Sequence, residues 1–241
     1  MANFGFVHMA VVAPYAPHWR EARSAVGAPE LLQNAREVAS LAEAVSDCTL
    51  VAGTGTLTAR KPEQRVVALP ALAPLLQNEI ERGGRVALVF GPEKRGLTRE
   101  DLSYCHLLVE IPTDPHQPSM NLGQAVAVCL YELACRGVPA QGGTPESALP
   151  AASAIAGTAE SDPLRPSAAS GTLDLLGGLI EQAMKTAGYS PRTMQAANRH
   201  SLRLLLRRLR MNPDDARRAL GLFRRILWRL DRCPDAGPRP Q

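Results

Sequence analysis

Two stretches of this chain hold the residue types that could do chemistry. One is Gly91-Pro92-Glu93, continuing through Gly96 to Thr98, and the other is Pro118-Ser119-Met120-Asn121. The first follows an apolar run at 86–90 and the second follows a run at 107–111 stopped by Pro112, both of which read as buried strands. Ligands of parallel sheets bind outside the carboxyl ends of the strands, so both loops lie where a site belongs. Taken singly the residues are ordinary: Glu93 is a solvated loop carboxylate, Asn121 an N-cap, and Gly91, Gly96 and Pro112 turn residues. Spacing excludes two phosphate-binding motifs. Leu97 stands where a phosphate loop needs its lysine, and Gly53-Thr54-Gly55-Thr56 lacks the third glycine and following helix of a dinucleotide fingerprint. The five cysteines, Cys48, Cys105, Cys129, Cys135 and Cys233, form no CxxC pair and have no metal-ligand spacing with the five histidines. They read as reduced thiols, and no metal site is expected.

The elements that must position these loops follow from apolar period and punctuation. A strand is expected at 8–13 before Pro14, a short helix around 19–26, and a helix at 41–46 opened by a Ser40/Glu43 capping box. A strand at 49–52 then runs into the Gly53 to Thr56 loop. The next helix covers 72–82, with Leu72, Leu75, Leu76 and Ile80 inward and Gly83 at its end. Thr98 and Asp101 are spaced as a capping box for a short helix at 99–104. A helix at 121–135 aligns Leu122, Val126, Cys129, Leu130 and Leu133 on one face. Strand, loop and helix in alternation predict an α/β domain with a parallel sheet.

Beyond it, 137–170 is rich in Ala, Gly, Pro and Ser and reads as a flexible linker. Three amphipathic helices follow. The first carries Leu173, Leu176, Ile180 and Met184 and is ended by Gly188; the second, at 193–210, sets Leu202, Leu205, Leu206 and Leu209 against Arg203, Arg207 and Arg210. The third starts after Asn212-Pro213-Asp214 and is lined by Leu220, Phe223, Leu227 and Leu230.

With 45% hydrophobic and 21% charged residues in 241, the chain can bury a full core. Aromatic residues at 4% argue against a base-stacking sheet. No apolar run has the length of a membrane span, and the first residues lack the order of a signal peptide, which points to the cytoplasm. The net charge of +4 hides an asymmetry: residues 171–241 hold 14 basic against 6 acidic side chains, net +8, and the rest is net −4. Those arginines either form a solvated face or meet a polyanion, and no acidic residue lies between Arg217 and Arg229 to pair with them.

The order Leu88-Val89-Phe90-Gly91-x-Glu93-x-x-Gly96-Leu97-Thr98, then Ile111-Pro112, then Ser119-Met120-Asn121-Leu122 closely resembles the second and third motifs of the SPOUT-class (TrmH/SpoU superfamily) RNA ribose 2'-O-methyltransferases. The match is to the tRNA-modifying branch called TrmJ, and it covers roughly the first 135 residues. The resemblance implies a parallel-sheet SPOUT fold with a C-terminal trefoil knot over residues 1–136, the linker at 137–170, a small all-α basic domain at 171–233 and a tail at 234–241. It implies S-adenosyl-L-methionine as cofactor, bound by Thr54, Gly55, Thr56, Gly91, Ile111, Pro118, Ser119 and Met120. Glu93, Asn121 and Ser119 become the polar positions nearest the reaction, and Gly91 lets backbone approach the cofactor. It further implies tRNA as partner, with ribosomal RNA as the alternative, and a homodimer. The family's first motif, Asn-x-Gly-x-x-x-Arg, belongs ahead of Met1-Ala2-Asn3 and has no counterpart here. Two expectations follow: a sheet face left apolar and open, and, as the alternative function, a non-catalytic remnant that binds RNA or cofactor without the motif's arginine.

Overall fold

The computed structural model describes residues 1–15, 18–21, 27–55, 62–138 and 166–232. Within these, four parallel strands form one sheet: β3 (Leu50–Thr54), β4 (Arg65–Ala68), β5 (Val86–Val89) and β6 (Leu107–Glu110), in the order β4-β6-β3-β5. The order puts β3 between β5 and β6, in a register that aligns Gly53 with Val89 and Thr54 with Val109. The loops after β3, β5 and β6 therefore leave the same edge of the sheet side by side. A separate parallel pair joins β1 (Ala10–Val12) to β2 (Arg36–Val38), with α1 (Pro29–Gln33) between them. Both β2 and β4 are absent from the sequence expectations, as is α1.

The alternation of β3 and β6 sorts their side chains onto two faces. Leu50, Ala52, Leu107 and Val109 pack with Leu72, Ala73 and Leu76 of α3 (Leu72–Glu81) and with Cys129 and Leu133 of α5 (Leu122–Cys135). Val51 and Leu108 pack on the other face with Val45 and Cys48, just after α2 (Leu41–Ala44), and with Leu97, Leu102 and Cys105 around α4 (Arg99–Ser103). Edge strand β5 is half-buried along its whole length, whereas its neighbour β3 is buried throughout.

Helix ends follow the sequence cues. The Thr98 hydroxyl accepts from Asp101 N and the Asp101 carboxylate accepts from Thr98 N, a complete capping box. Ser40 accepts from Glu43 N, but the Glu43 carboxylate accepts from Ala39 N, one residue earlier than a capping box requires. The helix expected around 19–26 is a single 3-10 turn, Trp19–Glu21, and residues 22–26 lie outside the described part.

The last three helices, α6 (Ser170–Thr186), α7 (Gln195–Leu209) and α8 (Pro213–Arg232), share a core of Leu176, Leu206 and Leu220, one from each. Gly188, at φ +70, follows the last turn of α6 as expected. The orientation expected for α7 is wrong. Leu205 and Leu209 are exposed at 40% and 56%, while the Arg207 residue is 1% exposed. Helix α7 packs on two sides: Leu202 and Leu206 meet the other helices, and Arg203, Arg207 and the following Arg210 meet the α/β domain, while Arg199 pairs with Glu181 of α6 and Arg208 is exposed. Arg207 Nε donates to Tyr104 O at 2.9 Å and its NH2 to Asp174 at 2.9 Å. Arg203 donates to Ser103 Oγ at 2.8 Å and stacks 4.0 Å above the Tyr104 ring. Arg210 reaches the buried Glu79 of α3 at 2.7 Å.

Most of the expected linker, 139–165, lies outside the described residues, as do Cys233 and the expected tail at 234–241. Its last residues are docked. Ser167 N donates to Glu79, and the amide and hydroxyl of fully buried Ser170 both donate to Cys48 O at 2.8 Å.

Candidate functional site

The three adjacent strand ends open into a cleft of about 300 Å³. Strand β3 brings Thr54 and Gly55; β5 brings Phe90 and the 91–97 loop; β6 brings Glu110, Ile111 and Thr113; and Pro118, Ser119 and Met120 close the far wall, with Leu122 and Ala125 of α5 behind. All the expected cofactor positions in the described residues line this cleft: Thr54, Gly55, Gly91, Ile111, Pro118, Ser119 and Met120. Thr56 lies outside the described residues.

The β5 loop is shaped by its own backbone. A Cβ on Gly91 would stand 2.2 Å from Gly96 C and Leu97 N, so only glycine lets the loop fold back on itself. The close approach that Gly91 permits within the chain is to its own loop. Gly96 N donates to Pro92 O at 2.7 Å, and Gly96 sits at φ +63. Thr54 Oγ1 donates to Val89 O at 3.0 Å and ties the first loop to the second. Thr113 Oγ1 donates to Pro118 O at 3.4 Å, pinching the third loop at its base.

Of the expected catalytic positions, Glu93 and Ser119 line the cleft, and Asn121 does not, reaching it only through Glu93. Asn121 does two jobs. Its Oδ1 accepts from Gly123 N at 2.9 Å as the N-cap of α5, and its Nδ2 donates to Glu93 Oε1 at 2.5 Å. A carboxylate on a glycine loop is thereby fixed to the start of a helix 28 residues away. Lys94, Arg95, Glu110 and Thr113 also line the cleft, and no sequence signal singled them out, because they flank the motif glycines and prolines without belonging to the motif.

The buried thiols and the buried histidine of the α/β domain lie outside the cleft lining and are silenced by burial. The Cys105 and Cys129 thiols are pushed up to about 12 by desolvation, which leaves no thiolate nucleophile. His106 is pulled down to about 3, chiefly by burial and then by the Arg207 and Arg210 charges. Its Nδ1 accepts from Val51 N at 3.1 Å, and Nε2 has no partner among the described residues. It is a neutral structural histidine at the rear of the sheet.

The donor set suits a cation-bearing, partly apolar ligand. Phe90, Ile111, Met120 and Leu122 give apolar wall; Thr54, Thr113 and Ser119 give hydroxyls; Glu93 and Glu110 give carboxylates, with the cationic side chains of Lys94 and Arg95 on the same lining. S-adenosylmethionine, with a sulfonium, an ammonium and a flat adenine, fits that combination.

Comparisons with known proteins identify the family. Residues 1–131 match the model of the SpoU rRNA Methylase family. The tRNA (cytidine/uridine/adenosine-2'-O-)-methyltransferase TrmJ of Pseudomonas aeruginosa (strain UCBPP-PA14) is 39% identical over 143 residues, 59% of this chain and 55% of that one. The tRNA (cytidine-2'-O-)-methyltransferase TrmJ of Methanocaldococcus jannaschii is 38% identical over 135 residues, 55% of this chain and 58% of that one. The chain thus spans about half the length of the curated relatives it matches. The crystal structure of TrmJ from Z. mobilis ZM4 superposes with a TM-score of 0.73 at 26% identity, covering 94% of this chain and 89% of that one, helical region included. With more than half of its residues inside the family model and the strand-end cleft where the motifs predict it, the chain belongs to the SpoU methylase family and carries a SPOUT α/β domain followed by helices.

Proposed function

We propose that this protein is an S-adenosylmethionine-dependent tRNA ribose 2'-O-methyltransferase acting on cytidine or uridine, in the cytoplasm, as a homodimer. The observation that carries the reading is the Glu93–Asn121 pair at the wall of a cleft built from three strand-end loops. S-adenosylmethionine supplies an activated methyl group for in-line displacement by a ribose oxygen. The protein's part is alignment and proton handling. Thr54, Gly55, Ile111 and Met120 hold the donor, and the tight Gly91 loop sets one wall of its pocket. Asn121 keeps the Glu93 carboxylate at the rim, where it and Ser119 meet the ribose hydroxyl. Lys94 and Arg95, exposed on the same loop, suit the phosphates flanking the target nucleotide. Support for the dimer comes from the exposed Val128 and Tyr131 on α5, which leave apolar surface for a second copy.

Incubation with methyl-labelled S-adenosylmethionine and unmodified tRNA transcripts tests the reading. Label on the 2'-oxygen of a cytidine or uridine is the expected result; absence of incorporation by protein that binds the cofactor overturns it. Gly91→Ala forces a Cβ into the Gly96–Leu97 backbone and is expected to abolish calorimetric cofactor binding. Asn121→Ala releases Glu93 and should lower kcat by 10-fold or more.

A further inference from the structure

Helix α4 joins two parts of the molecule. It grows directly out of the cleft, because Leu97, which lines the cleft, stands next to the N-cap Thr98. Leu97 is buried and packs with Leu102 and Cys105, and a Cβ on Gly53 of β3 would stand 3.2 Å from its Cδ1. Its backbone also closes the 91–97 loop against Gly91. Whatever fixes α4 against the sheet therefore fixes the foot of the loop that carries Glu93.

A helix of five residues does not hold itself in place. The Thr98–Asp101 box secures its start, and the helical bundle secures its end. Arg207 Nε donates to the carbonyl of Tyr104, the C-cap, and Arg203 donates to the fully buried Ser103 Oγ, whose own proton goes to Glu100 O at 2.6 Å. Both guanidiniums thus stand at the negative end of the α4 dipole. The two arginines differ in one respect. Arg207 also bonds Asp174 of α6 and so serves the bundle, whereas the hydrogen bond, ring contact and ion pair of Arg203 among the described residues all lie within 100–104. That ion pair, 3.9 Å to a Glu100 side chain that is 76% exposed, is screened by solvent and adds little. What Arg203 does is hold α4.

We propose that Arg203 is a positioning residue for the cleft: gripping Ser103 and Tyr104, it keeps α4, and through Leu97 the 91–97 loop, in the shape that accepts S-adenosylmethionine. The identity of that donor rests on the methyltransferase reading. Loss of the grip loosens the outer support of Leu97 and leaves its sheet side, at Gly53 and Cys105, in place. The loop then visits shapes that do not bind, and the apparent affinity falls by the fraction that still does. Alignment within the filled site is unchanged.

The test uses the whole protein, with calorimetric binding of S-adenosylmethionine and amide hydrogen exchange over residues 91–97 in the absence of cofactor. Arg203→Ala is expected to bind the cofactor about 10-fold more weakly and to raise its KM by a similar factor, with kcat and KM for tRNA within about 2-fold of wild type. The Gly96 amide, which donates to Pro92 O, should exchange faster. A merely structural loss gives the opposite split, since a smaller folded fraction lowers kcat and the number of calorimetric sites but not the affinity. Arg203→Lys keeps a donor without the planar fork and should fall between. Ser103→Ala removes the acceptor, and combining it with Arg203→Ala should add little, because the two changes break one contact. Arg208→Gln, exposed on the same helix, should leave cofactor affinity unchanged. Wild-type cofactor affinity and loop exchange in a folded Arg203→Ala protein would overturn the proposal and leave the methyltransferase reading intact; if that variant does not fold, Ser103→Ala decides by the same two readouts. Failure of the wild-type protein to bind S-adenosylmethionine would overturn that reading, while faster loop exchange in the variant would leave the grip of Arg203 on the loop standing.

Discussion

Helices α7 and α8 are both arginine-rich and are separated by a single short turn, yet α7 turns Arg203 and Arg207 inward, with Arg210 just past its end, while the arginines of α8 are all exposed. Arg207, from α7, is 1% exposed and bonded to Tyr104 O and Asp174; Arg224, from α8, is exposed and unpaired among the described residues. Local sequence does not separate them, since both lie in runs of Leu and Arg at helical spacing. Acceptors placed by the fold do. Asp174 is 33 residues from Arg207, Tyr104 is 103, and Glu79 is 131 residues from Arg210. A guanidinium becomes structural where distant parts of the chain bring a carbonyl or carboxylate within reach; elsewhere it stays available to a partner.

The contrast can be broken by substitution. Arg207→Ala strands Asp174 and the Tyr104 carbonyl at the domain contact, and a loss of about 3–5 kcal/mol in urea unfolding is expected. If it unfolds no earlier than Arg224→Ala, the contrast is wrong. Glu79→Ala removes the acceptor shared by Arg210 and Ser167 N and should cost about 2–3 kcal/mol by the same measurement.

Proton linkage gives the next effect. The folded-state value of His106, about 3, lies below its ordinary 6.5, so the unfolded chain takes up the proton first. Stability should fall as pH drops from about 6.5 toward 3, by at most ~1.4 kcal/mol per unit from this residue. His106→Gln should flatten that slope in urea titrations at pH 7, 6 and 5. Ser170→Ala, which deletes one buried hydroxyl bond, should cost about 1 kcal/mol. Smallest of all, Arg224→Gln should leave stability within about 0.5 kcal/mol of wild type.

The strands that carry the cleft were legible because each is a short apolar run cut off by glycine or proline, and the two-face sorting of β3 and β6 follows from the alternation of a strand. Strands β2 and β4 were not legible. Arg-Glu-Val and Arg-Val-Val-Ala are too short and too charged to show a period, and both lie at sheet edges where charge is tolerated. The motif residues of the cleft could be read, but Glu110 and Thr113 could not, because they belong to no motif and reach the cleft only through the position of the β6 end beside the β3 and β5 loops. Helix α7 misled because it has two buried stripes, one apolar and one built of arginine, and an apolar-moment argument recognises only the first. The docked residues 166–170 look like linker for a related reason: Ser and Ala make good contacts only where a partner backbone comes close.

One of those contacts bears on how the molecule comes apart. The first two amides of α6 donate to Cys48 O and Ser46 O, carbonyls just beyond the carboxyl end of α2. No side chain caps α6, so main chain of the α/β domain fills that role, and the two helices meet with opposite ends of their dipoles. Detaching the helical bundle would leave α6 without its cap, Arg207 without the Tyr104 carbonyl and Glu79 without two donors, all in one event. The two parts should therefore melt together, in a single calorimetric transition whose van't Hoff and calorimetric enthalpies agree.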